Sequence, residues 1–326
     1  MSQSGLTDQL TLFDCGGVDL SALRIRRDEL LASVRAKRTI SAYACDWRQF
    51  DRWCRMAGRE TLPASAETLQ LYITWMFEGG SKVTTAERRV AAIAHIHRGA
   101  GFNSPVEPNL REIIRATRRE RKEKPIGKKA LSPLELVRIA GKCDATTALG
   151  SRDLAILILG FATSFRREEL AQLQLSDVTF ERDGLAVLLR YSKRDQEGKG
   201  RLLGVWAGER ESTDPVRTLR AWLKWRGDWD GPLFCRIQTG DIVQHKAIAG
   251  AAVHHAVRRM IAEAGIDPKR YGAHSLRAGS ITAAAELGRS DQEIIGLSGH
   301  ANVQMIRTYV RSSRLFSGRN PLAGVL

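Results

Sequence analysis

The residue types best suited to chemistry lie in the C-terminal half of the chain, at set distances from one another. His274 and Arg277 are separated by two residues, His300 lies 23 positions after Arg277, and Tyr309 lies 9 positions after His300. A tyrosine hydroxyl can act as a nucleophile when a neighbouring group accepts its proton, and histidine serves as that acceptor most often. A His-x-x-Arg pair alone arises often by chance. The whole series of residues, however, predicts an active site.

A second part of the predicted site lies upstream, in the stretch Phe165–Leu170, which follows an apolar segment. It contains Arg166 and Glu169 in an Arg-x-x-Glu-Leu pattern. Attack by such a nucleophile on a phosphodiester builds negative charge on the two non-bridging oxygens, and the planar guanidinium fork matches those oxygens. We therefore expect Arg166 and Arg277 to grip the phosphate, each lowering the barrier by about 3 kcal/mol. Arg167 would point about 100° away around a helix, toward the surface or the DNA backbone.

Together these motifs resemble those of the tyrosine recombinases of the phage integrase family, with the layout of the shorter Cre- and Xer-like members. The resemblance covers the second half of the chain motif by motif, and the first half only as a similar four-helix pattern. It implies that Tyr309 is the nucleophile and that His274 assists proton transfer from it. It further implies that His300, which is a tryptophan in some members, hydrogen-bonds a non-bridging oxygen, and that Glu169 orients the cationic groups.

The departing 5′ hydroxyl needs a proton donor. The resemblance implies a lysine in the hairpin between the second and third strands of a small sheet. The segment Tyr191-Ser192-Lys193-Arg194-Asp195 occupies that place, and we assign the role to Lys193. Lys199 lies in the same loop and remains an alternative. Either lysine could instead be an ordinary solvated turn residue.

The composition favours a folded protein with a polyanionic partner. The 326 residues include 51 Lys and Arg against 36 Asp and Glu, which gives a formal charge of +15. Basic folded proteins usually bind polyanions, because each neutralised phosphate releases counterions. Charge alone also allows a ribosome-associated or merely basic protein. Since 43% of the residues are hydrophobic, the chain can bury real cores, and its length suggests two domains.

The cysteines and the apolar runs predict the compartment. Five cysteines are scattered without a Cys-x-x-Cys pair, a pattern typical of a reducing compartment and unlike a disulfide framework or a zinc ribbon. The longest apolar run, residues 154–162, is too short to cross a bilayer. The first residues are polar and do not resemble a secretory signal. We expect a cytoplasmic protein that associates with DNA and not with membranes.

Hydrophobic periodicity predicts a mainly α fold that begins with a four-helix domain over residues 34–120, after a flexible tail over residues 1–33. The first helix would bury one stripe, and further helices are expected over residues 68–77, from residue 81 to about 97, and over 109–119. Residues 121–131 are rich in charge, with Pro125 and Gly127, and predict an extended basic linker. The stripe consists of Ile40, Tyr43, Ala44, Trp47, Phe50 and Trp53.

An α+β catalytic domain with a small three-stranded antiparallel sheet is predicted over residues 132–326. Ser132 and Glu135 form a capping box that begins a helix, and Ser290 and Glu293 form another. Turn signals separate three predicted strands, at residues 178–180, 185–191 and 202–206. Later helices are expected over residues 247–264, 276–287, 291–297 and 303–311. No phosphate-binding Gly-rich loop of the ATPase type is present.

Basic residues in four places are candidates for DNA contact, although basic helical faces are usually just solvated. The exposed face of the helix from residue 81 is the first choice for insertion into a DNA groove. The first helix is second, the linker would follow phosphates, and a helix beginning near residue 245 resembles the groove-reading element of the family. These candidates are Lys82, Thr84, Arg88 and Arg89; Lys37, Arg38 and Thr39; Lys122, Lys124, Lys128 and Lys129; and His245 and Lys246.

The sequence therefore predicts a site-specific recombinase that cleaves and rejoins DNA through a 3′-phosphotyrosyl intermediate and a Holliday junction, without metal, ATP or another cofactor. Its expected partner is double-stranded DNA with an inverted-repeat site, on which a free monomer assembles as a homotetramer. The last residues carry apolar side chains that would dock on a neighbouring protomer, or else on their own domain. A type IB topoisomerase or telomere resolvase, and a non-catalytic DNA-binding regulator, are the alternatives. The target site and the direction of the reaction stay open.

Overall fold

The computed structural model describes residues 21, 23, 25, 26, 37–122, 127–190, 200–300, 302–304, 306, 307 and 309. The chain divides into two compact units, residues 1–125 and 126–326. The boundary falls inside the segment predicted to be a linker. In the ranges just given, no helix is both long and apolar enough to span a membrane.

Within the described part of the first unit, the helices with defined bounds are α1 (Lys37–Met56), α2 (Ala66–Glu78), α3 (Val83–Gly99) and α4 (Pro108–Arg121). Residues 21, 23, 25 and 26 are also helical. Local signals set the ends of the helices with defined bounds. The Ser65 side chain accepts a hydrogen bond from the backbone N–H of Thr68 at the start of α2, and Pro108 occupies the first turn of α4, where no N–H is required. α4 runs two residues further than predicted, to Arg121.

An aromatic core holds these four helices together. Phe50 and Trp53 of α1 are buried and pack against Tyr72 of α2, with ring centroids 5.0 and 5.2 Å apart. The predicted stripe on α1 is wrong at its beginning, because Ile40 is 46% exposed and Ala44 is exposed as well. The core contacts only the later turns of α1, so apolar spacing near its start does not mean burial.

The second unit surrounds one helix that is buried along most of its length. Its helices are α5 (Pro133–Ala140), α6 (Ala148–Thr163), α7 (Arg167–Gln172), α8 (Pro215–Arg226), α9 (Gly250–Glu263), α10 (Ala273–Glu286) and α11 (Asp291–Ser298). The buried helix is α6, which packs against α8, α9 and α10. Both predicted capping boxes are present, at the starts of α5 and α11. Residues 303, 304, 306, 307 and 309 are also helical.

Three strands form the predicted antiparallel sheet, β1 (Val178–Phe180), β2 (Gly184–Leu189) and β3 (Arg201–Trp206), in that spatial order. Val187 of β2 lies opposite Val178 of β1 and Leu203 of β3. The inward-facing residues Leu185, Val187 and Leu189 join the core of this unit. The mainly α fold with a four-helix first domain and a small sheet in the second is thus confirmed.

A second hairpin was not predicted. Strands β4 (Cys235–Gln238) and β5 (Ile242–Ala247) pair in antiparallel orientation. The chain reverses at Gly240 and Asp241, which both have positive φ, 82° and 59°. Such turns favour Gly and Asp, so the Thr-Gly-Asp sequence between the strands carried the signal. Because β5 extends to Ala247, the helix expected from residue 247 begins instead at Gly250.

Ser164 ends α6 in a strained conformation, and this leads to a prediction on stability. Its φ is 58°, in the left-handed region that favours glycine, and its buried hydroxyl has no hydrogen-bond partner among the described residues. We expect Ser164→Gly to raise the free energy of unfolding by about 1 kcal/mol, since it removes both the strain and the unpaired hydroxyl. Denaturant unfolding measures the change. Ser164→Ala, which removes only the hydroxyl, should gain less, and a destabilised glycine variant would contradict the argument.

Candidate active site

The centre of the site is a direct contact between the predicted nucleophile and the predicted proton acceptor. His274 is the second residue of α10, and its Nε2 lies 3.0 Å from the hydroxyl oxygen of Tyr309. This is a hydrogen-bond distance. Tyr309 is partly buried and His274 is exposed, so a polymer substrate can reach both. The structure therefore brings together two residues that are 35 positions apart in the chain.

The surroundings of His274 favour its neutral form. Partial desolvation of the ring, together with the charges of Arg277 and Arg166, lowers the pKa of His274 below its ordinary value of 6.5. Its place at the start of α10 acts in the same direction, because the N-terminus of a helix repels a cation and attracts a phosphate. A neutral imidazole can accept the proton of the Tyr309 hydroxyl.

Arg277 lies one helical turn after His274 and is held from two sides. It is 2% exposed. Its Nη1 donates a hydrogen bond to the carbonyl oxygen of Ser164 at 2.6 Å, and its Nη2 lies 3.3 Å from both ring nitrogens of His300. Burial and the nearby charge of Arg166 lower the pKa of Arg277 to about 10, so the side chain is still charged at neutral pH. The guanidinium is oriented before any substrate binds.

Arg166 stands immediately before α7 and is tied to Glu169 inside that helix. The backbone N–H of Arg166 donates to Oε2 of Glu169 at 2.7 Å, and its guanidinium forms an ion pair with the other carboxylate oxygen. Glu169 is 4% exposed. A buried carboxylate paired in this way holds the arginine in place and offsets part of its charge. The predicted role of Glu169 as an orienting residue agrees with these contacts, and remains a proposal.

One cleft connects these groups. Arg166, His274 and Arg277 line a concave space of about 330 Å³. Most other side chains in its wall are basic or aromatic. They include Lys128, Phe165, Arg167 and His254, with Glu168 as the acidic member. A cleft lined by cationic groups attracts an anionic substrate.

His300 is held by a residue that the sequence analysis missed. It follows Gly299, which ends α11 with a φ of 62°. The hydroxyl of Ser298 donates to the carbonyl oxygen of Ile294 at 2.7 Å and lies 2.7 Å from Nδ1 of His300. A hydroxyl has one proton, so Nδ1 of His300 must donate to Ser298. Both residues are buried. Ser298 precedes the Gly-His pair, and nothing in its type or spacing suggested a role.

Comparison with known proteins agrees with this geometry. A model of the phage integrase family matches residues 129–315. The chain belongs to this family. An integrase/recombinase XerD homologue of Selenomonas ruminantium is 32% identical over 90% of this chain and 87% of its own length. The recombinase Cre of Escherichia phage P1 is 25% identical over 81% of each chain. The resemblance to tyrosine recombinases inferred from the motifs is thus confirmed.

Solved structures share the fold of this phage integrase family member. Lambda integrase in a dimer bound to a COC′ core site has a TM-score of 0.60 at 18% identity, covering 90% of this chain and 77% of that one. Lambda integrase in a tetramer bound to a Holliday junction has a TM-score of 0.58 at 17% identity, with coverages of 90% and 78%. At these identities the likeness concerns the fold.

Some residues predicted for this tyrosine recombinase lie outside the described part. They include Lys193 and its alternative Lys199, in the hairpin between β2 and β3, and Lys124 in the linker. Lys37 and Arg38 begin α1, but their side chains lie outside the described residues. The assignments of these residues therefore stay predictions.

The basic face predicted on α3 is only partly exposed. Lys82 and Thr84 are exposed, as expected. Arg89, in contrast, turns into the first unit, is 13% exposed and donates a hydrogen bond to the Tyr72 hydroxyl at 2.6 Å. Arg88 is 47% exposed and pairs with the buried Asp46 at 3.0 Å. The expectation of a free Arg89 is wrong, because the buried Asp46 carboxylate requires cationic partners.

The end of the predicted linker is packed on the second unit. The backbone N–H of Lys129 donates to the carbonyl oxygen of Arg270, and its ammonium pairs with Glu135 at 2.8 Å. Burial alone would raise the pKa of Glu135, but hydrogen bonds from Lys129, Tyr271 and Ser132 lower it to about 2. Lys129 is therefore a structural residue rather than part of an extended linker.

Other residues that were predicted to contact DNA differ in exposure. Lys128 is exposed beside the cleft, Lys122 is exposed, and Thr39 is half-buried.

His245 and Lys246 do not begin a helix. Both lie in β5 and are exposed, and the His245 ring stacks on Trp229 with centroids 3.8 Å apart. The expected resemblance to a groove-reading helix is wrong here. The turn at Gly240 reverses the chain, so these residues lie in the second strand of a hairpin instead.

The pKa of His274 leads to a prediction on pH dependence. Because that pKa is lowered, the ring is neutral at pH 7, and kcat/KM for DNA cleavage should be constant near neutrality and fall only as pH drops through the lowered pKa. The pH dependence of kcat/KM reports the pKa values of groups in the free enzyme. His274→Gln should reduce cleavage about 10²-fold and remove the acidic fall. If the decrease in kcat/KM at low pH persists unchanged in this variant, the decrease must come from the protonation of another group.

Proposed function

We propose that this tyrosine recombinase cleaves and rejoins DNA at specific sites, with Tyr309 as the covalent nucleophile. The observation that carries the proposal is the 3.0 Å contact between Tyr309 and His274, one turn from the buried Arg277. A protein that only binds DNA has no need for a hydroxyl aligned with a proton acceptor beside preorganised cations.

In the first step, the Tyr309 oxygen attacks the phosphorus and its proton passes to Nε2 of His274. Charge accumulates on the two non-bridging oxygens, where Arg166 and Arg277 bind it. The bond to the 5′ oxygen breaks, and this oxygen leaves as a hydroxyl after taking a proton from Lys193. The product is a 3′-phosphotyrosyl ester. The departing group needs an acid because an alkoxide is a poor leaving group at neutral pH.

His300 would complete the grip on the phosphate. Its Nδ1 proton is used on Ser298. Nε2, which lies beside Nη2 of Arg277, is therefore the ring nitrogen that would meet an incoming oxygen, and it would have to take up a proton to donate to that oxygen. In the second step, a 5′ hydroxyl from another strand gives its proton to the deprotonated Lys193 and attacks the phosphorus, while the bond to Tyr309 breaks and the Tyr309 oxygen takes back the proton held by His274. One ester is exchanged for another, so the sequence of steps needs no ATP. Repetition on the second pair of strands passes through a Holliday junction.

Two exchanges in register require several copies on paired sites. We propose that the protein is monomeric when free, binds double-stranded DNA with inverted repeats, and forms a homotetramer when two sites are joined. The likeness in fold to lambda integrase, solved as a tetramer bound to a Holliday junction, supports this assembly.

Several predicted DNA contacts are consistent with exposure and remain part of the proposal. The exposed candidates are Lys82 immediately before α3, Thr84 in α3, Lys122 after α4, Lys128 beside the cleft, and His245 and Lys246 in β5. Their loss should weaken binding without changing chemistry, since phosphate contacts position the protein on DNA.

Covalent capture tests the proposed function and finds the target sequence in the same experiment. The full chain is incubated with random-sequence duplexes that carry a nick near the cleavage position. After cleavage, the short strand with the 5′ hydroxyl diffuses away, so religation fails and the covalent intermediate is trapped. Adducts that survive SDS are recovered, the DNA is sequenced, and the attached peptide is identified by mass spectrometry. We expect a 3′ adduct on Tyr309 and enrichment of an inverted repeat. The absence of any adduct would leave a non-catalytic DNA-binding protein, and an adduct without sequence enrichment would favour a topoisomerase.

The segment after Tyr309 gives another prediction. Residues 310–326 lie outside the described part and carry Leu315, Phe316, Leu322 and Val325. We propose that this segment docks on a neighbouring protomer, so deletion after Ser313 should abolish strand exchange between two captured sites and leave capture on a single site intact. Undiminished strand exchange by the truncated protein would exclude docking in trans.

A further inference from the structure

Arg201 is a third arginine of the site, and no role in the reaction has yet been given to it. It is the first residue of β3, opposite Leu189 of β2. Its guanidinium reaches the end of α11, where Nη1 donates to the carbonyl oxygens of Gly296 at 2.8 Å and Leu297 at 3.0 Å. The last carbonyls of a helix lack partners within the helix and attract positive charge. Arg201 therefore caps the helix that ends immediately before the Gly299-His300 pair.

The shape of the chain around Gly299 depends on this contact. A Cβ atom built on Gly299 would lie 3.1 Å from Nη1 of Arg201 and 3.3 Å from its Cζ. The glycine also has positive φ. The Gly of the Gly-His pair thus satisfies two requirements, a left-handed turn and room for the guanidinium that rests against it.

Arg201 also lies close to the groups around the upstream arginine. Its guanidinium carbon is 5.7 Å from the centre of the Phe165 ring. Burial lowers the pKa of Arg201, the charge of Glu169 raises it, and the charge of Arg166 lowers it. The side chain therefore spans the space between the start of α7 and the end of α11. These two helix ends carry Arg166 and His300.

We propose that Arg201 is a positioning residue for His300. The Arg201 guanidinium holds the last turn of α11 and the turn at Gly299 against β3. When that turn is held in place, Ser298 and Arg277 contact the imidazole from two sides. The ring is therefore already oriented when a phosphate oxygen binds. A displacement of about 1 Å at such a group can reduce a rate about 100-fold.

This inference rests on the proposed function, and a double-mutant cycle tests it. Single-turnover cleavage of the captured site is measured for wild type, Arg201→Ala, His300→Ala and the double variant. If Arg201 acts through His300, Arg201→Ala alone should reduce cleavage on the order of 10- to 100-fold, and the double variant should be within about twofold of His300→Ala. Losses that multiply would overturn the inference, because Arg201 would then act through some other group or through folding.

Controls separate this outcome from a general loss of structure. Thermal unfolding and DNA affinity are measured for each variant, and Arg217→Ala removes an arginine that is exposed on the same unit. Should Arg201→Ala fail to fold, the same cycle with Arg201→Lys decides, since lysine keeps the charge but cannot serve both carbonyls with one planar group. If wild type forms no adduct, the proposed function fails. If wild type forms one and the cycle is additive, only the role of Arg201 fails.

Discussion

Replacing Tyr309 by phenylalanine is expected to abolish covalent attachment to DNA while leaving DNA binding and the fold unchanged. The substitution removes only the hydroxyl oxygen that lies 3.0 Å from His274. None of the described residues that line the cleft is a tyrosine, so none of them offers another phenol that could form the ester. Because loss of a nucleophile removes the reaction path itself, we expect cleavage to fall by at least about 10⁴-fold. SDS-resistant adducts on the captured, nicked site measure the effect.

A second tyrosine provides the matched control for this prediction. Tyr43 lies in α1 of the first unit, and Tyr43→Phe should form adducts at the wild-type rate. An adduct that persists in Tyr309→Phe would assign the attack to another residue and would exclude the proposed mechanism. Since phenylalanine retains the ring, any loss of stability should be small, and DNA affinity should stay close to that of the wild type.

Replacing Arg277 by lysine should be almost as damaging, although the charge is retained. A lysine ammonium cannot bond the carbonyl oxygen of Ser164 and the His300 ring while also presenting a planar pair of donors to phosphate. We expect single-turnover cleavage to fall on the order of 10²- to 10³-fold, the range seen when one preorganised donor to a developing anion is removed. Arg277→Ala should lose at least as much.

Another buried arginine shows whether this loss is specific. Arg226 is 2% exposed and donates to backbone carbonyls, among them those of Pro232 and Trp229. Arg226→Lys should therefore lower the unfolding temperature without a comparable loss of cleavage by the folded protein. If Arg277→Lys also lowers the unfolding temperature but leaves cleavage by the folded protein nearly unchanged, Arg277 is a structural residue.

The sequence alone was sufficient where chemistry requires particular residue types at particular spacings. His274 and Arg277 share one helix face because they are one turn apart, and Gly299 marks the end of α11. Capping boxes correctly predicted the starts of α5 and α11, because these signals act within four residues of chain. The same local logic predicted the three-stranded sheet from its turns.

Where contacts join distant segments, the sequence was insufficient. Arg89 looked like an exposed basic residue, but the buried carboxylate of Asp46 holds it inside the first unit. Arg201 and Ser298 were not recognised because their partners are set by the packing of α11 against β3 and α10, and residue type does not reveal such packing. His245 was expected at the start of a helix by resemblance to the family, but the turn at Gly240 and Asp241 places it in β5.

By itself, then, the sequence determined the family, the residue types of the site and most of the helices, because each depends on local spacing or on chemistry that few side chains can supply. Only the tertiary structure decided which cations are free and which are engaged. The reason is physical: the burial of the site, the charge of Arg166 near His274, and the contact between Arg277 and His300 depend on residues that are more than 20 positions apart in the chain and meet only on folding.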